Sequence, residues 1–397
     1  MSFPPLFLKS QHDRRIRKGH LWVYSNEVDS KKSPLNNFAV GEQVVLTGAS
    51  GQALGLAVVN PNNLICARLV SRSLNVRLGE SLFKKRIQEA LSLRQAIFDA
   101  PYYRLLFGDA DFLPGVVADR FGDYVVLQIA SAAMEQHKQS LLQALQAVLG
   151  CRGVLLRNDH AARQLENLPL YSEVVGDLPE QLELIENGVQ FRVPSRDGQK
   201  TGWFYDHRCN RAMLAQWVSG KRVLDVFSYV GGWGVQLAKA GAKRVTCVDS
   251  SATALSYVEQ NAELNACDDR MEAIEGSALE VLKFLIEEQE KFDVVVLDPP
   301  AFIKRKKDQK SGEAAYRHIN ELAIRLLQPG GLLLSASCSM QLPAASLQDI
   351  VRGAAMHLDR KCQLVYCGGQ GPDHPVHPAI PETNYLKAQL FRILSRQ

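Results

Sequence analysis

Two short stretches hold residues whose types and order could do chemistry. Asp298-Pro299-Pro300 ends one apolar run, and Ser337-Cys338-Ser339 ends another. Each proline fixes its φ and restricts the residue before it, so carbonyls there turn toward a ligand instead of back into a strand ladder. A cysteine in apolar surroundings is usually a small core hydrophobe. Cys338 lies instead between two serines where the run stops, a place where a thiolate could act as a nucleophile.

Such residues need a scaffold that sets strand ends side by side. From Arg222 onward the alternation predicts strands at 222–227, 244–248, 271–275, 292–297 and 331–336. It predicts helices at 232–240, 252–264, 278–288, 315–327 and 344–357. That is an α/β, doubly wound parallel sheet with ligands at the carboxyl ends of its strands. Two more strands, 361–367 and 385–394, are expected to pair antiparallel at the edge and bring the sheet to seven.

The first strand-turn-helix-strand of this sheet runs from Val223 to Ser250. Gly231, Gly232 and Gly234 crowd its turn, where the missing Cβ lets backbone approach a ligand. Asp249 closes the second strand, where an acid can accept both hydroxyls of a ribose. A dinucleotide site uses G-x-G-x-x-G to set a pyrophosphate on the helix N-terminus. The order here is G-G-W-G, far into the chain. S-adenosylmethionine has no phosphate and tolerates this looser turn. A D-P-P motif at the end of the fourth strand is a feature of methyltransferases acting on planar bases and amines. A tightly packed turn and a stiff strand exit with no ligand remain open on these residues alone.

If Cys338 is a nucleophile, its chemistry suits carbon 5 of a pyrimidine, which is too weak to take a methyl group directly. A thiolate adding at carbon 6 makes carbon 5 enamine-like. Asp298, held protonated, would hydrogen-bond N3 of the ring. A nearby Lys or Arg would ease ionisation of the thiol. The base must be flipped or single-stranded to be reached. Lys304, Arg305, Lys306 and Lys307 follow the D-P-P motif and could grip phosphates. Tyr316 and His318 could face the substrate, and His374 could relay a proton or simply support a loop.

The chain has 397 residues, 46% hydrophobic and 22% charged, with a net charge of +4. Those values describe an ordinary globular protein of two or three domains, and they permit an acidic partner without requiring one. The eight cysteines form no C-x-x-C pair, so neither a disulfide framework nor a metal site is expected. No apolar run reaches the roughly 18 residues of a membrane span, and MSFPPLFLKS lacks the core of a signal peptide. A cytoplasmic protein is expected. Residues 1–73 read as a small β unit, with Arg14, Arg15, Arg17 and Lys18 able to contact RNA phosphates. Trp22 reads as core. Residues 74–180 read as a central α+β unit, with a helix near 81–98 and another at 135–149. Residues 181–397 open with a hairpin at 182–194 and a mixed segment, 199–208, that should border the cofactor.

Together these segments resemble a known family. GHLWVYSNEV, DFLPGVVADRFG, KTGWFYDHR, LDVFSYVGGWG, VDSS, LDPPAF, SCS and DHPV are similar to those of bacterial 23S ribosomal RNA cytosine-C5 methyltransferases of the RlmI type. The resemblance spans nearly the whole chain. It implies an RNA-binding PUA domain, a central strand-strand-helix-strand-strand (EEHEE-like) domain and a class I (Rossmann-like) methyltransferase domain using S-adenosylmethionine. It implies Cys338 as nucleophile and Asp249 as the ribose-binding acid, while Asp298 is the second catalytic candidate by its motif alone. Lys200, Thr201, Phe204, Asp225, Ser228, Gly231, Ser250, Ser277, Asp298 and Pro299 fall in or beside the implied cofactor segments. The implied partner is large-subunit ribosomal RNA, with a homodimer plausible by analogy. The sequence departs from the pattern at Ala301, where a second cysteine or a lysine often stands, and at Gly276-Ser277, where an acid often contacts adenine. Transfer to a ring or exocyclic nitrogen, and a non-catalytic ribosome assembly factor that binds RNA, are the competing readings. An NAD-dependent oxidoreductase is disfavoured, since no His or Tyr pairs with a Lys in a hydride-transfer pattern.

Overall fold

A computed structural model describes residues 3–196 and 198–395. The chain divides into two compact units. The first holds the chain up to Leu182 together with Pro194–Trp203 and Pro372–Thr383, and the second holds Glu183–Val193, Phe204–Gly371 and the chain from Asn384 onward.

In the first unit, β1 (Pro5–Phe7), α1 (Arg14–Arg17), β2 (Trp22–Tyr24), β3 (Gln43–Thr47), β4 (Ala53–Val59) and β5 (Ile65–Ser71) build a five-stranded sheet ordered β1-β3-β4-β5-β2. β3 and β4 pair antiparallel as a hairpin. Then come α2 (Glu80–Ile97), β6 (Tyr102–Phe107), β7 (Val116–Phe121), β8 (Tyr124–Ile129), α3 (Ala132–Gln136), α4 (Lys138–Leu149), β9 (Gly153–Asn158) and β10 (Tyr171–Gly176), with the sheet ordered β10-β9-β8-β7-β6. The single helix expected at 135–149 is thus two, broken at His137 (φ −103°, ψ 17°). Leu56, Val58 and Val70 from the first sheet join Phe83, Ile87, Leu105 and Leu127 in one buried cluster. That shared core is why two expected domains form one compact unit. Trp22 is only half-buried, with Arg68 over its ring at 5.6 Å.

The hairpin β11 (Gln181–Glu186) and β12 (Val189–Pro194) turns at Asn187-Gly188, both at positive φ, as a two-residue hairpin turn requires. In the second unit α5 (Arg208–Ala215) precedes β13 (Arg222–Val226), α6 (Gly234–Lys239), β14 (Arg244–Asp249), α7 (Ala252–Leu264), β15 (Met271–Glu275), α8 (Ala278–Glu287) and β16 (Phe292–Leu297). α9 (Gln309–Leu326), β17 (Leu327–Ser337), α10 (Ala344–His357), β18 (Lys361–Gly368) and β19 (Lys387–Leu394) complete it. The seven strands run β15-β14-β13-β16-β17-β19-β18. The first five are parallel, while β19 lies antiparallel between β17 and β18. The order reverses at β13, which places a ligand crevice at the carboxyl ends of β13, β14 and β16.

Two boundaries differ from expectation. β17 begins four residues early because the chain pairs through Pro329-Gly330 with a register shift opposite Phe292, and Gly330 adopts φ +83°. α9 begins at Gln309, because its first turns pack through Gly312, where a Cβ would lie 2.3 Å from Ile303 Cγ1. Contact through a glycine leaves no apolar stripe to read. Among the described residues no helix is long and apolar enough to cross a membrane.

Candidate active site

The glycine-rich turn is shaped first by its own packing. Gly231 has φ +86°, and a Cβ on Gly234 would lie 2.4 Å from Cys247 Sγ. Helix α6 therefore starts pressed against β14, and its first N–H, from Gly234, donates to Asp225 Oδ2 at 2.8 Å. Phe227 and Tyr229 also stand at positive φ, so backbone on both sides of Ser228 is held in a costly conformation. Asp249 fastens this turn: its Oδ2 accepts from Tyr229 N at 2.9 Å and its Oδ1 from Ser251 N at 3.0 Å. Phe204 packs edge-on to Tyr229, ring centroids 5.7 Å apart.

Three carboxylates gather here. Burial pushes the Asp225 carboxyl up to about 7, the Gly234 N–H opposes this, and the charges of Asp298 and Asp249 add to it. Asp225 Oδ1 and Ser228 Oγ are buried with no hydrogen-bond partner. An unsatisfied buried acceptor amid negative charge suits a cationic ligand that also carries donors, as S-adenosylmethionine does.

Asp298 overturns one expectation. Its Oδ1 lies 3.2 Å from His207 Nε2, and its Oδ2 accepts from Trp233 Nε1 at 3.1 Å. Asn210 Nδ2 donates to the Gly369 carbonyl at 2.9 Å and lies 3.2 Å from His207 Nδ1. Nε2 is the ring nitrogen that faces Asp298 and carries the proton given to it. Burial alone would raise the Asp298 carboxyl, but the His207 ring and the two hydrogen bonds hold it below the usual carboxylate range. Asp298 is an ionised acceptor, not the protonated donor anticipated from the motif.

Cys338 sits at the carboxyl end of β17, beside the strand that ends at Asp298. It is partly exposed, while Ser337 and Ser339 are buried. Tyr316, from α9, explains the flanking serines: its hydroxyl bonds Ser337 Oγ at 2.8 Å and Ser339 Oγ at 2.9 Å. Ile303 N donates to Ser339 Oγ at 3.2 Å, and Phe302 packs on the Tyr316 ring. Tyr316 is fully buried, so it frames the cysteine and does not face substrate. His318 is exposed on the same helix.

Other expected residues scatter. Lys200 and Thr201 belong to the first unit, Lys200 exposed at φ +49° and Thr201 buried. Ser250 and Ser277 are exposed, and Pro299 is buried. Lys304, Arg305, Lys306 and Lys307 are all exposed, Arg305 paired with Asp308 at 3.2 Å. Arg15 is committed to Glu27 at 2.8 and 2.9 Å, and Arg17 to Asp13 at 2.7 Å. Arg14 and Lys18 stay exposed with no side-chain partner among the described residues. Lys18 also borders a cleft of about 360 Å³ in the first unit, with Arg72, Arg86, Phe112 and His377. His374 is buried in that unit, Nδ1 2.9 Å from Asp373 Oδ1 and its ring against Phe107. Sequence reasoning missed Glu186, which is 1% exposed and accepts from Arg208, Arg211 and Gln236. Its position in a two-stranded hairpin carries no local signal of that role. Among the described residues no cluster of His, Cys, Asp or Glu could hold a metal ion.

Comparison with known proteins agrees with this architecture. Residues 128–392 match S-adenosylmethionine-dependent methyltransferases, and residues 6–72 match PUA-like domains. A Klebsiella pneumoniae (strain 342) protein named ribosomal RNA large subunit methyltransferase I is 35% identical over 398 residues, 99% of each chain. A protein of the same name from Cronobacter sakazakii is 36% identical over 391 residues, 96% of this chain and 97% of its own. A Streptococcus mutans structure, provisionally described as a SAM-dependent methyltransferase, matches with a TM-score of 0.82 at 22% identity, over 98% of this chain and 100% of the other. Another structure, of a methyltransferase so described and complexed with SAH, matches at 0.83 and 23% identity with the same coverage. The glycine turn, the carboxylate cluster and the seven-stranded sheet thus have a common explanation: the chain belongs to the S-adenosylmethionine-dependent methyltransferase family.

Proposed function

We propose that this protein methylates carbon 5 of a cytidine in large-subunit ribosomal RNA, through a covalent adduct of Cys338. The relatives named for large-subunit rRNA supply the substrate class. The observation that carries the chemistry is the exposure of Cys338 between two buried serines, at the strand end next to Asp298.

Asp225, Ser228 and Asp249 would hold the cofactor, with Phe204, Gly231 and Pro299 lining it and Lys200, Thr201, Ser250 and Ser277 in the same family segments. Bound S-adenosylmethionine supplies an electrophilic methyl group. The Cys338 thiolate adds to carbon 6, which makes carbon 5 nucleophilic. Once carbon 5 has taken the methyl group, its proton passes to a solvent base, which re-forms the carbon 5–carbon 6 double bond and expels the thiolate. Asp298, as an ionised acceptor, receives the exocyclic amine of the cytosine and so orients the ring. Arg14 and Lys18 in the first unit, and the exposed Lys304–Lys307 run in the second, are each available to phosphates.

The test uses tritiated S-adenosylmethionine and deproteinised large-subunit rRNA from cells lacking the protein. Wild type is expected to place label in 5-methylcytidine, and Cys338→Ala to place none. Label in a nitrogen-methylated nucleoside, or full activity in the variant, overturns the proposal.

A further inference from the structure

The strand order sets Lys387, the first residue of β19, directly opposite Ser337, the last residue of β17. Its side chain is 8% exposed. Nζ donates to the carbonyl of Ser339 at 2.6 Å and to that of Tyr385 at 2.7 Å. Both partners are neutral, and among the described residues no carboxylate forms an ion pair with this ammonium. A buried cation without an anion is costly. Burial lowers the Lys387 ammonium to about 8, and the charge of Cys338 acts in the opposite direction. A neutral donor would suffice to tie two carbonyls together. A cation there has a purpose if its counter-charge is a sulfur that ionises.

We infer that Lys387 is a positioning residue for Cys338: its ammonium stabilises the thiolate, and its bond to the Ser339 carbonyl fixes the backbone that presents the sulfur. Among the described residues, three other titratable groups near this strand end, Tyr316, Tyr385 and Asp298, bring no positive charge of their own. Tyr316, from α9, is a phenol raised by burial and bonded to both serines. Tyr385 gives its hydroxyl to Asp206 Oδ2. Asp298, at the end of β16, is an anion held by His207 and Trp233. The inference rests on Cys338 being the nucleophile, and its test separates the two claims.

The test is the rate of Cys338 alkylation by iodoacetamide in the full-length protein, measured from pH 6 to 10 and read by peptide mass to exclude the exposed Cys209 and Cys367. Wild-type Cys338 is expected to titrate below the free thiol value of about 8.5. Lys387→Met should move that titration up by about one unit and slow alkylation at pH 7 about tenfold. Lys387→Arg, which keeps the charge, should restore most of the rate. The acid limb of methyl transfer should move with the thiol in the Met variant. An unchanged Cys338 titration in Lys387→Met overturns the inference. If that variant fails to fold, a wild-type thiol titrating at or above the free value overturns it instead. A Cys338→Ala protein that still makes 5-methylcytidine overturns the nucleophile assignment alone.

Discussion

Two buried charges, one in each unit, are held in opposite ways. In the first, Arg94 on α2 is 0% exposed. Nη1 and Nη2 reach Asp111 Oδ1 and Oδ2 at 2.7 Å each, and the remaining N–H groups reach the carbonyls of Ala90, Arg104 and Asp373. Asp373 in turn accepts from Arg104 N at 3.0 Å. In the second, Asp225 is equally buried, yet one oxygen has no partner and its charged neighbours include two more carboxylates. A charge with every donor spent is architecture. A charge left short of partners, beside a turn held at positive φ, is a site awaiting a ligand. The contrast also explains His374: it belongs to the satisfied network, beside Asp373.

The largest effect expected from this contrast is on stability. Arg94→Leu leaves Asp111 buried without its counter-ion, so it should cost about 3–5 kcal/mol in denaturant unfolding. Affinity for S-adenosylhomocysteine, measured by calorimetry while the protein is folded, should stay within about twofold of wild type, a difference under 0.5 kcal/mol. A stability loss under about 1 kcal/mol would put the pair among inert surface bridges and break the comparison.

The sheet was legible because parallel strands such as β14, β16 and β17 are largely apolar runs that end at a polar residue, Asp249, Asp298 and Ser337. Cys338, Asp298 and Asp249 were visible for the same reason: they are polar residues standing where a run ends. The supporting residues were not visible. Lys387 opens its strand in an ordinary YLKAQLF pattern, and its partner Ser339 is 48 residues away. His207 is one polar residue among several in 199–208, and only the fold brings it to Asp298. The ionised state of Asp298 was misread for that reason. Its motif shows the carboxyl, and its charge depends on two donors from distant segments.

Asp225→Asn tests the unsatisfied half. The wild-type carboxyl is raised, so the folded protein holds a proton that the unfolded chain releases near 4. The stability it lends is therefore present below that value and lost as pH rises toward about 7. The Asn variant should lack this decline. S-adenosylhomocysteine carries an ammonium, so its affinity for wild type should rise as pH passes through about 7. The variant should bind about tenfold or more weakly at pH 8, with no such step, as expected for loss of a charge-assisted bond. Equal affinity and an equal pH slope in both proteins would remove Asp225 from the site.

Asp298 is the informative intermediate, a site carboxylate that already has two donors. His207→Phe keeps a ring against Trp233, whose centroid lies 5.3 Å from that of His207, and deletes the donor. At pH 7 the expected cost is about 1–2 kcal/mol, the scale of one hydrogen bond to a charged group. The sign with pH follows from the depressed carboxyl. Its stabilisation is complete above the unfolded value near 4 and is lost only as pH falls through the lower folded value. In the variant, burial acts without His207 to oppose it, so Asp298 takes up its proton at a higher pH than in wild type. Protonation relieves the variant of an under-partnered buried charge, so the stability gap between the two proteins should narrow from pH 7 to pH 5. A gap that stays constant over that range would show that His207 supports Asp298 by shape alone, and the carboxylate would then join Asp225 among the charges awaiting a ligand.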